Sequence, residues 1–340
     1  MRKLKFLVIF IFGILIFETV AVIGVNYKIS DFKIKTVQEK SSDDFYFVQL
    51  TDTHVRNKLF DKNEASKKRL TTVLETIISF ENKPAFIVIT GDLCQWGNNP
   101  LGALNCITFV SCFYEKNDQL YADANFTIPV YTTPGNHDYC FSRNLKDYHK
   151  YIDKNHIESK DRYIVNYSDV SLFFMDSGPN YYSNFSNLLE FHGEGLYDND
   201  IEWLQQELSQ CQSNHKIVLM HHPAVGDKED VFICNRQAFV ELCETYDVEL
   251  VLAGHTHSAR VFDSDLNKYD ELLLNCSLYP TLYVQSDDCK EGVHYRNVSI
   301  KGYDVWLESS EELKVEINPV EHLETRFMWI LSNLSNKHSL

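Results

Sequence analysis

Five short stretches of the chain gather the side chains that bind divalent metal ions: Asp52-Thr53-His54, Gly91-Asp92, Gly135-Asn136-His137-Asp138, His221-His222 and Gly254-His255-Thr256-His257. They hold six of the thirteen histidines and no lysine or arginine. Mixed carboxylate, amide and imidazole donors suit Mn, Fe, Zn or Co, whereas a magnesium site would be all oxygen and a structural zinc site rich in thiolate. In Asp-x-His both side chains lie on the same side of a strand end, so one ion can take both. A carboxylate such as Asp92 has two oxygens and can bridge ions ~3.5–4 Å apart. Asn136 adds a neutral amide oxygen. Each stretch alone has a plainer reading. Asp52 and His54 make an ordinary surface pair, the two Gly-containing acidic stretches make turns capped by their own side chains, and His221-His222 make a satisfied pair at a strand end. Their recurrence, each directly after an apolar run, removes those readings.

The runs span residues 45–50, 85–90, 129–133, 217–220 and 249–253, all of strand length. Between them Leu70, Val73, Leu74, Ile77 and Ile78 recur at helix spacing over 67–80. Asp198 caps a helix with Ile201, Leu204 and Leu208 on one face, and a further helix covers 236–246. Residues 172–175 form another strand. The alternation predicts an α/β fold, and in such sheets ligands assemble beyond the carboxyl ends of the strands. Gly91, Gly135 and Gly254 permit the sharp exits from strand to loop. Strands at 281–285, 294–300 and 303–307 complete a sheet, and a helix around 323–334 closes the chain.

The series Asp-x-His, Gly-Asp, Gly-Asn-His-Asp, His and Gly-His-x-His resembles the calcineurin-like metallophosphoesterases over residues 44–310, with all five motifs intact. The resemblance implies an α/β, four-layer α/β/β/α metallophosphoesterase sandwich with two divalent metal ions at the sheet edge. Carried over by motif, Asp52, His54, Asp92 and His257 hold one ion. Asp92, Asn136, His221 and His255 hold the other, with Asp92 shared. His222 lies behind the ligands or faces substrate, and His137 meets the leaving group, oriented by Asp138. The Asp198 helix followed by residues 216–223 looks like the cyclic-nucleotide-phosphodiesterase-like branch. Purple acid phosphatases carry a tyrosine where this chain has Gln95. The expected function is therefore hydrolysis of small phosphate monoesters or diesters by a metal-bridging hydroxide, with His137 as general acid. Two alternatives come from other readings of the chain. One is a membrane-associated lipid-head-group phosphodiesterase resembling the acid-sphingomyelinase branch; the other is a non-catalytic metal-binding scaffold, whose usual sign of eroded ligands is missing.

Composition narrows the partners. The 340 residues carry a formal charge of −16, which disfavours an extended nucleic-acid interface, and 44% hydrophobic residues are enough for a packed core. Arg2, Lys3 and Lys5 precede an apolar run from Phe6 to Val25 broken only by Glu18 and Thr19. At ~1.5 Å per residue that run covers about 30 Å, a bilayer core. Residues 1–25 therefore read as a signal anchor or signal peptide, 26–43 as a tether, 44–310 as the catalytic domain and 311–340 as a C-terminal extension. The positive flank predicts an extracytoplasmic domain, anchored by a single transmembrane segment or secreted if cleaved. Nine cysteines with no C-x-x-C pair exclude a zinc ribbon or thioredoxin motif. Export predicts at least one disulfide at the loops carrying Cys94 and Cys140.

Overall fold

β-branched and aromatic residues dominate the apolar runs, and these fit a pleated surface buried on both faces. The computed structural model describes residues 44–97, 102–113, 115–116, 119–120, 128–140, 145–152, 162–178, 195–227, 231–270 and 272–314. The expected N-terminal apolar helix, the tether and the helix at 323–334 lie outside the described residues. No helix among the described residues is long and apolar enough to cross a membrane.

In chain order the elements are β1 (Asp44–Leu50), α1 (Ala65–Ser79), β2 (Ile87–Thr90), α2 (Gly102–Ser111), β3 (Glu115–Lys116), β4 (Gln119–Leu120), β5 (Val130–Thr133), α3 (Asn136–Tyr139), α4 (Lys146–Tyr151), β6 (Arg162–Tyr167), β7 (Val170–Met175), α5 (Asp198–Gln210), β8 (His215–Leu219), α6 (Arg236–Thr245), β9 (Leu250–Ala253), β10 (Arg260–Phe262), β11 (Lys268–Tyr269), β12 (Leu273–Asn275), β13 (Leu282–Gln285), β14 (His294–Lys301) and β15 (Asp304–Glu312). The result is a mixed α/β fold with two principal sheets. One has the order β12-β15-β14-β1-β2-β5, the other β11-β10-β13-β9-β8-β7-β6. β1, β2 and β5 are parallel neighbours, as are β7, β8, β9 and β13. The late strands complete both sheets rather than one: β14 runs antiparallel to β1, while β13 joins β9.

The period-2 alternation divides each strand between two cores. Phe47, Val88, Leu172, Ile217, Leu252 and Val298 form one cluster shared by the two sheets. Val48, Ile87 and Ile89 turn the other way and pack with Leu70, Val73 and Ile77 of α1 and Phe109 of α2. Phe173, Val218 and Val251 do the same with Leu204 of α5 and Phe239 of α6. One helix has no counterpart in the sequence reading: α2 forms because Leu104, Phe109 and Val110 find an apolar surface to bury against. One local expectation is corrected. Tyr197, not Asp198, precedes α5; its backbone N–H donates to Asp200 at 2.9 Å, while Asp198 accepts from Asn235 at 2.9 Å.

At the amino ends of β8 and β9 a polar brace joins the sheets. His215 Nδ1 lies 2.8 Å from Glu249 and Nε2 lies 3.2 Å from the Gly302 carbonyl, while Ser277 Oγ donates to Glu249 at 2.7 Å. The Glu249 hydrogen bond raises the His215 pKa against the opposing effect of burial. A histidine whose folded pKa is raised contributes stability fully below its unfolded value of about 6.5, and loses it as pH rises through the folded value. The Tm gap between the parent protein and His215→Gln is therefore expected to be widest below pH ~6 and to shrink on the alkaline side. A gap that stays constant with pH would contradict the brace.

Candidate metal centre

Parallel pairing brings the carboxyl ends of β1, β2 and β5 to one edge, and those of β8 and β9 in the second sheet meet them there. Backbone bonds lock the loops together: Asp52 N–H to Gly91 O at 3.1 Å, His54 N–H to Asp92 O at 2.9 Å and Gly254 N–H to His221 O at 3.0 Å. Gly91 sits at φ +87°, and a Cβ there would meet the His221 ring at 2.4 Å. The candidate ligands themselves also adopt left-handed backbone: Asp52, His54, Asp92, His255 and His257 all have positive φ. Each such residue costs roughly 1–2 kcal/mol, a concentration of strain typical of functional sites.

The side chains converge. Four groups have ligand atoms within 4.8 Å of one another: Asp52–His54–His257, Asp52–Asp92–His221, His54–Asp92–His137 and His221–His222–His255. Asp92 faces both ways, with Oδ1 3.4 Å from His221 Nε2 and Oδ2 3.4 Å from His54 Nε2. Asp52 Oδ1 lies 3.2 Å from His257 Nε2 and 3.6 Å from His54 Nε2. Asn136 opens α3 and sets Oδ1 3.1 Å from His221 Nε2. The Thr90 carbonyl, 2.9 Å from His221 Nδ1, fixes that ring so that Nε2 faces the cluster. His255 is tied by its backbone N–H to Asp52 at 2.9 Å, and its ring lies 5.1 Å from that of His221.

Burial and charge make this a site for cations. The side chains of Asp52, His54, Asp92 and His221 are at most 2% exposed, whereas His137 and His257 keep 25% and 26% open. Burial pushes carboxylates up, but the His221 charge, with His257 and His54 for Asp52 and with His137 for Asp92, outweighs it and holds both well below the usual range. Burial would lower His221, yet Asp92 and Asp52 lift it to about 9; Asp288 and Asp52 lift His257 to about 10 against the same effect. Burial lowers His54 to about 3. The carboxylates thus demand positive charge. Asp52 Oδ1, both His54 nitrogens and His222 Nε2 are buried without a hydrogen-bond partner, a costly arrangement that cation coordination would resolve. The donor set fits divalent ions.

The expected orientation of His137 by Asp138 is corrected. Successive side chains of a helical turn diverge by about 100°. Asp138 instead accepts from the backbone N–H groups of Leu93 (3.1 Å), Cys94 (2.9 Å) and Gly135 (2.9 Å), clamping the loop after Asp92. Burial and the Asp92 charge raise its pKa to about 7. His137 is held by the Gln95 carbonyl, 2.8 Å from Nδ1. His222 is fully buried with Nδ1 3.1 Å from Ser177 Oγ, behind the ligands. The expected disulfide is not present: none of the nine cysteines is joined in a disulfide, and Cys94 Sγ lies 3.9 Å from Cys106 Sγ, well beyond a disulfide bond.

Three residues escaped the sequence reading. Gln95 and Ser177 orient His137 and His222, and Asp288 Oδ2 lies 3.0 Å from His257 Nδ1. Asp288 follows β13, another parallel strand ending at the same edge, so the strand predicted at 281–285 followed by two aspartates was the available signal.

The profile of the calcineurin-like phosphoesterases matches residues 45–259. The chain is a phosphoric ester hydrolase, and it belongs to that family, whose members use divalent metals. A probable glycerophosphodiester phosphodiesterase of Arcobacter nitrofigilis is 24% identical over 225 residues, 62% of this chain and 71% of that protein. A probable cyclic nucleotide phosphodiesterase of Rhodococcus erythropolis is 24% identical over 218 residues, 62% of this chain and 64% of that one. A solved purple acid phosphatase from yellow lupin (Lupinus luteus) is similar with a TM-score of 0.47 and 11% identity, covering 84% of this chain and 48% of its own.

Proposed function

We propose that this protein hydrolyses small phosphodiesters with two divalent ions held in an α/β/β/α sandwich. Asp52, His54, Asp92 and His257 would hold one ion; Asp92, Asn136, His221 and His255 would hold the other. The observation that carries the reading is Asp92, whose two oxygens face histidines from opposite sides. Two ions so placed would supply Lewis acidity, making water nucleophilic near neutral pH and neutralising phosphoryl charge. The rest falls to the chain. The Gln95 carbonyl accepts from His137 Nδ1, leaving Nε2 on the open side of the ring, 4.0 Å from Asp92. From that atom a proton passes to the departing alkoxide. Asp138 and the backbone bonds it accepts hold the Asp92 loop against reorganisation during the step. Asp288 fixes the His257 ring. Phosphodiesterase-named relatives favour diesters over monoesters. The positive flank and apolar run at the N-terminus support an extracytoplasmic domain, anchored or secreted.

The test is a substrate panel on the purified full chain: bis(4-nitrophenyl) phosphate, glycerophosphodiesters, 3′,5′-cyclic nucleotides and 4-nitrophenyl phosphate, with and without chelator. Diester hydrolysis that chelation abolishes and a divalent ion restores is expected; monoester turnover alone would contradict the diester assignment. Asp288→Asn keeps the ring's hydrogen bond but removes the charge that raises ligand basicity. Metal affinity is expected to fall by roughly 10–100-fold with the fold intact, read by metal titration. Unchanged affinity would remove Asp288 from the site.

A further inference from the structure

The end of the molecule opposite the metal centre is unusually apolar for a surface. At that end Tyr303 is 83% exposed and Leu278 76%, with Leu266 and Tyr279 also open. These are four of the eight exposed large apolar side chains among the described residues. β15 climbs from this end toward the centre, antiparallel to β14, so the Tyr303 turn lies at the base. β12 descends beside β15 into the Leu278 turn, and β10 descends, antiparallel to β13, into the turn that carries Leu266. Local bonds knit the turns into one surface. Ser277 Oγ donates to the Tyr303 carbonyl at 3.4 Å and accepts from Val305 N–H at 3.1 Å. Asn275 donates to Asp304 at 3.0 Å, and the Tyr279 ring stands 5.0 Å from that of Tyr269. A contiguous exposed patch of this kind marks a contact surface.

The chain itself indicates what covers it. Gly302 N–H donates to Asp44 at 2.9 Å, so β1 begins beside Tyr303. Only 18 residues, 26–43, separate Asp44 from the apolar run that ends at Val25. As a coil such a segment spans about 25 Å, and about 60 Å fully stretched. With residues 6–25 in a bilayer, the base of the sandwich is the face nearest the lipid. Its effective concentration there is of millimolar order, so even a weak apolar contact closes. Exposed Tyr and Leu suit the interfacial zone. The charge of −16 matches an uncharged lipid surface better than an anionic one.

We infer that Leu266, Leu278, Tyr279 and Tyr303 form a face that docks on the zwitterionic bilayer holding the chain's own N-terminal segment, turning the metal centre toward water. β1 rises ~23 Å over its seven residues before the ligands begin, which takes the centre out of reach of lipids in that bilayer. The substrate class is then water-soluble phosphate esters rather than head groups of the anchoring membrane. That last clause rests on the proposed hydrolase activity; the docking does not.

Full-length protein reconstituted in phosphatidylcholine vesicles carrying a diazirine-labelled phosphatidylcholine tests it. Photolysis and peptide mapping should find lipid adducts on Leu278 or Tyr303 as well as on residues 6–25. In Leu278→Asn/Tyr303→Ser, adducts on Leu266 and Tyr279 should fall by about tenfold or more per side chain withdrawn. Adducts confined to residues 6–25, adducts around the metal centre, or a base covered by a second copy or by the N-terminal segment itself would each overturn the docking. In the same vesicles a soluble diester should be hydrolysed and the bilayer's phosphatidylcholine left intact. Cleavage of that lipid would overturn the substrate class. Hydrolysis of neither would remove the hydrolase reading, while the adduct map still decides the docking.

Discussion

Asp92→Asn is expected to lose or greatly weaken one of two bound ions and to lower turnover on every substrate alike. Asp92 is 2% exposed, and its two oxygens serve His221 on one side and His54 on the other. The amide keeps the shape but removes the negative charge that both ions of the proposed centre would share. The loss in kcat/KM should exceed the 10–100-fold expected for the outer carboxylate Asp288, because both ion positions depend on it. Equal loss on aryl and alkyl esters is part of the prediction, since the nucleophile itself is no longer made. An Asp92→Asn protein with two ions and full activity would end the dinuclear reading.

His137→Gln should behave differently. His137 lies in one ligand group with His54 and Asp92, so geometry alone allows it to be a ligand. Its 25% exposure and its tether to the Gln95 carbonyl favour a proton donor at the open side. In that role the variant keeps both ions and loses roughly 10²–10⁴-fold in kcat/KM on alkyl esters, whose leaving groups have high pKa. On a nitrophenyl ester, whose leaving group scarcely needs a proton, the loss shrinks. Metal content and the two rate constants measured in parallel separate the roles. If metal is lost, or both esters suffer equally, His137 is not the acid.

The strand ends were readable because an apolar run followed by Asp or His is a pattern in one dimension. That pattern located β1, β2, β5, β8 and β9, and with them every residue of the four candidate ligand groups at the edge. Direction was not readable. His137 and Asp138 are adjacent in sequence, yet their side chains serve different partners, since a helical turn separates neighbours by about 100°. Glycine at three exits suggested that glycine would absorb the strain, but the left-handed backbone falls largely on Asp52, His54, Asp92, His255 and His257 themselves. Nothing in residue type announces that; it follows from bringing the strand ends of two face-packed sheets together at one edge. Asp288 was legible in principle, after the run at 281–285, but only once that strand is known to lie parallel to β9. The antiparallel return of β14 beside β1 joins segments some 250 residues apart, as in the pairing of Asp44 with Lys301, and no local pattern encodes it. Export predicted a disulfide at Cys94 or Cys140, whereas Cys94 instead packs against Cys106 in the core shared with α1 and α2.

The proposed dinuclear centre holds two divalent ions on which hydrolysis depends. Its most direct test is metal analysis of the purified full chain, coupled to titration of the chelated protein while diester hydrolysis is followed. Two ions per chain are expected, with activity rising to its plateau as the second equivalent binds. Full activity with one ion, or hydrolysis that persists after complete metal removal, would contradict it.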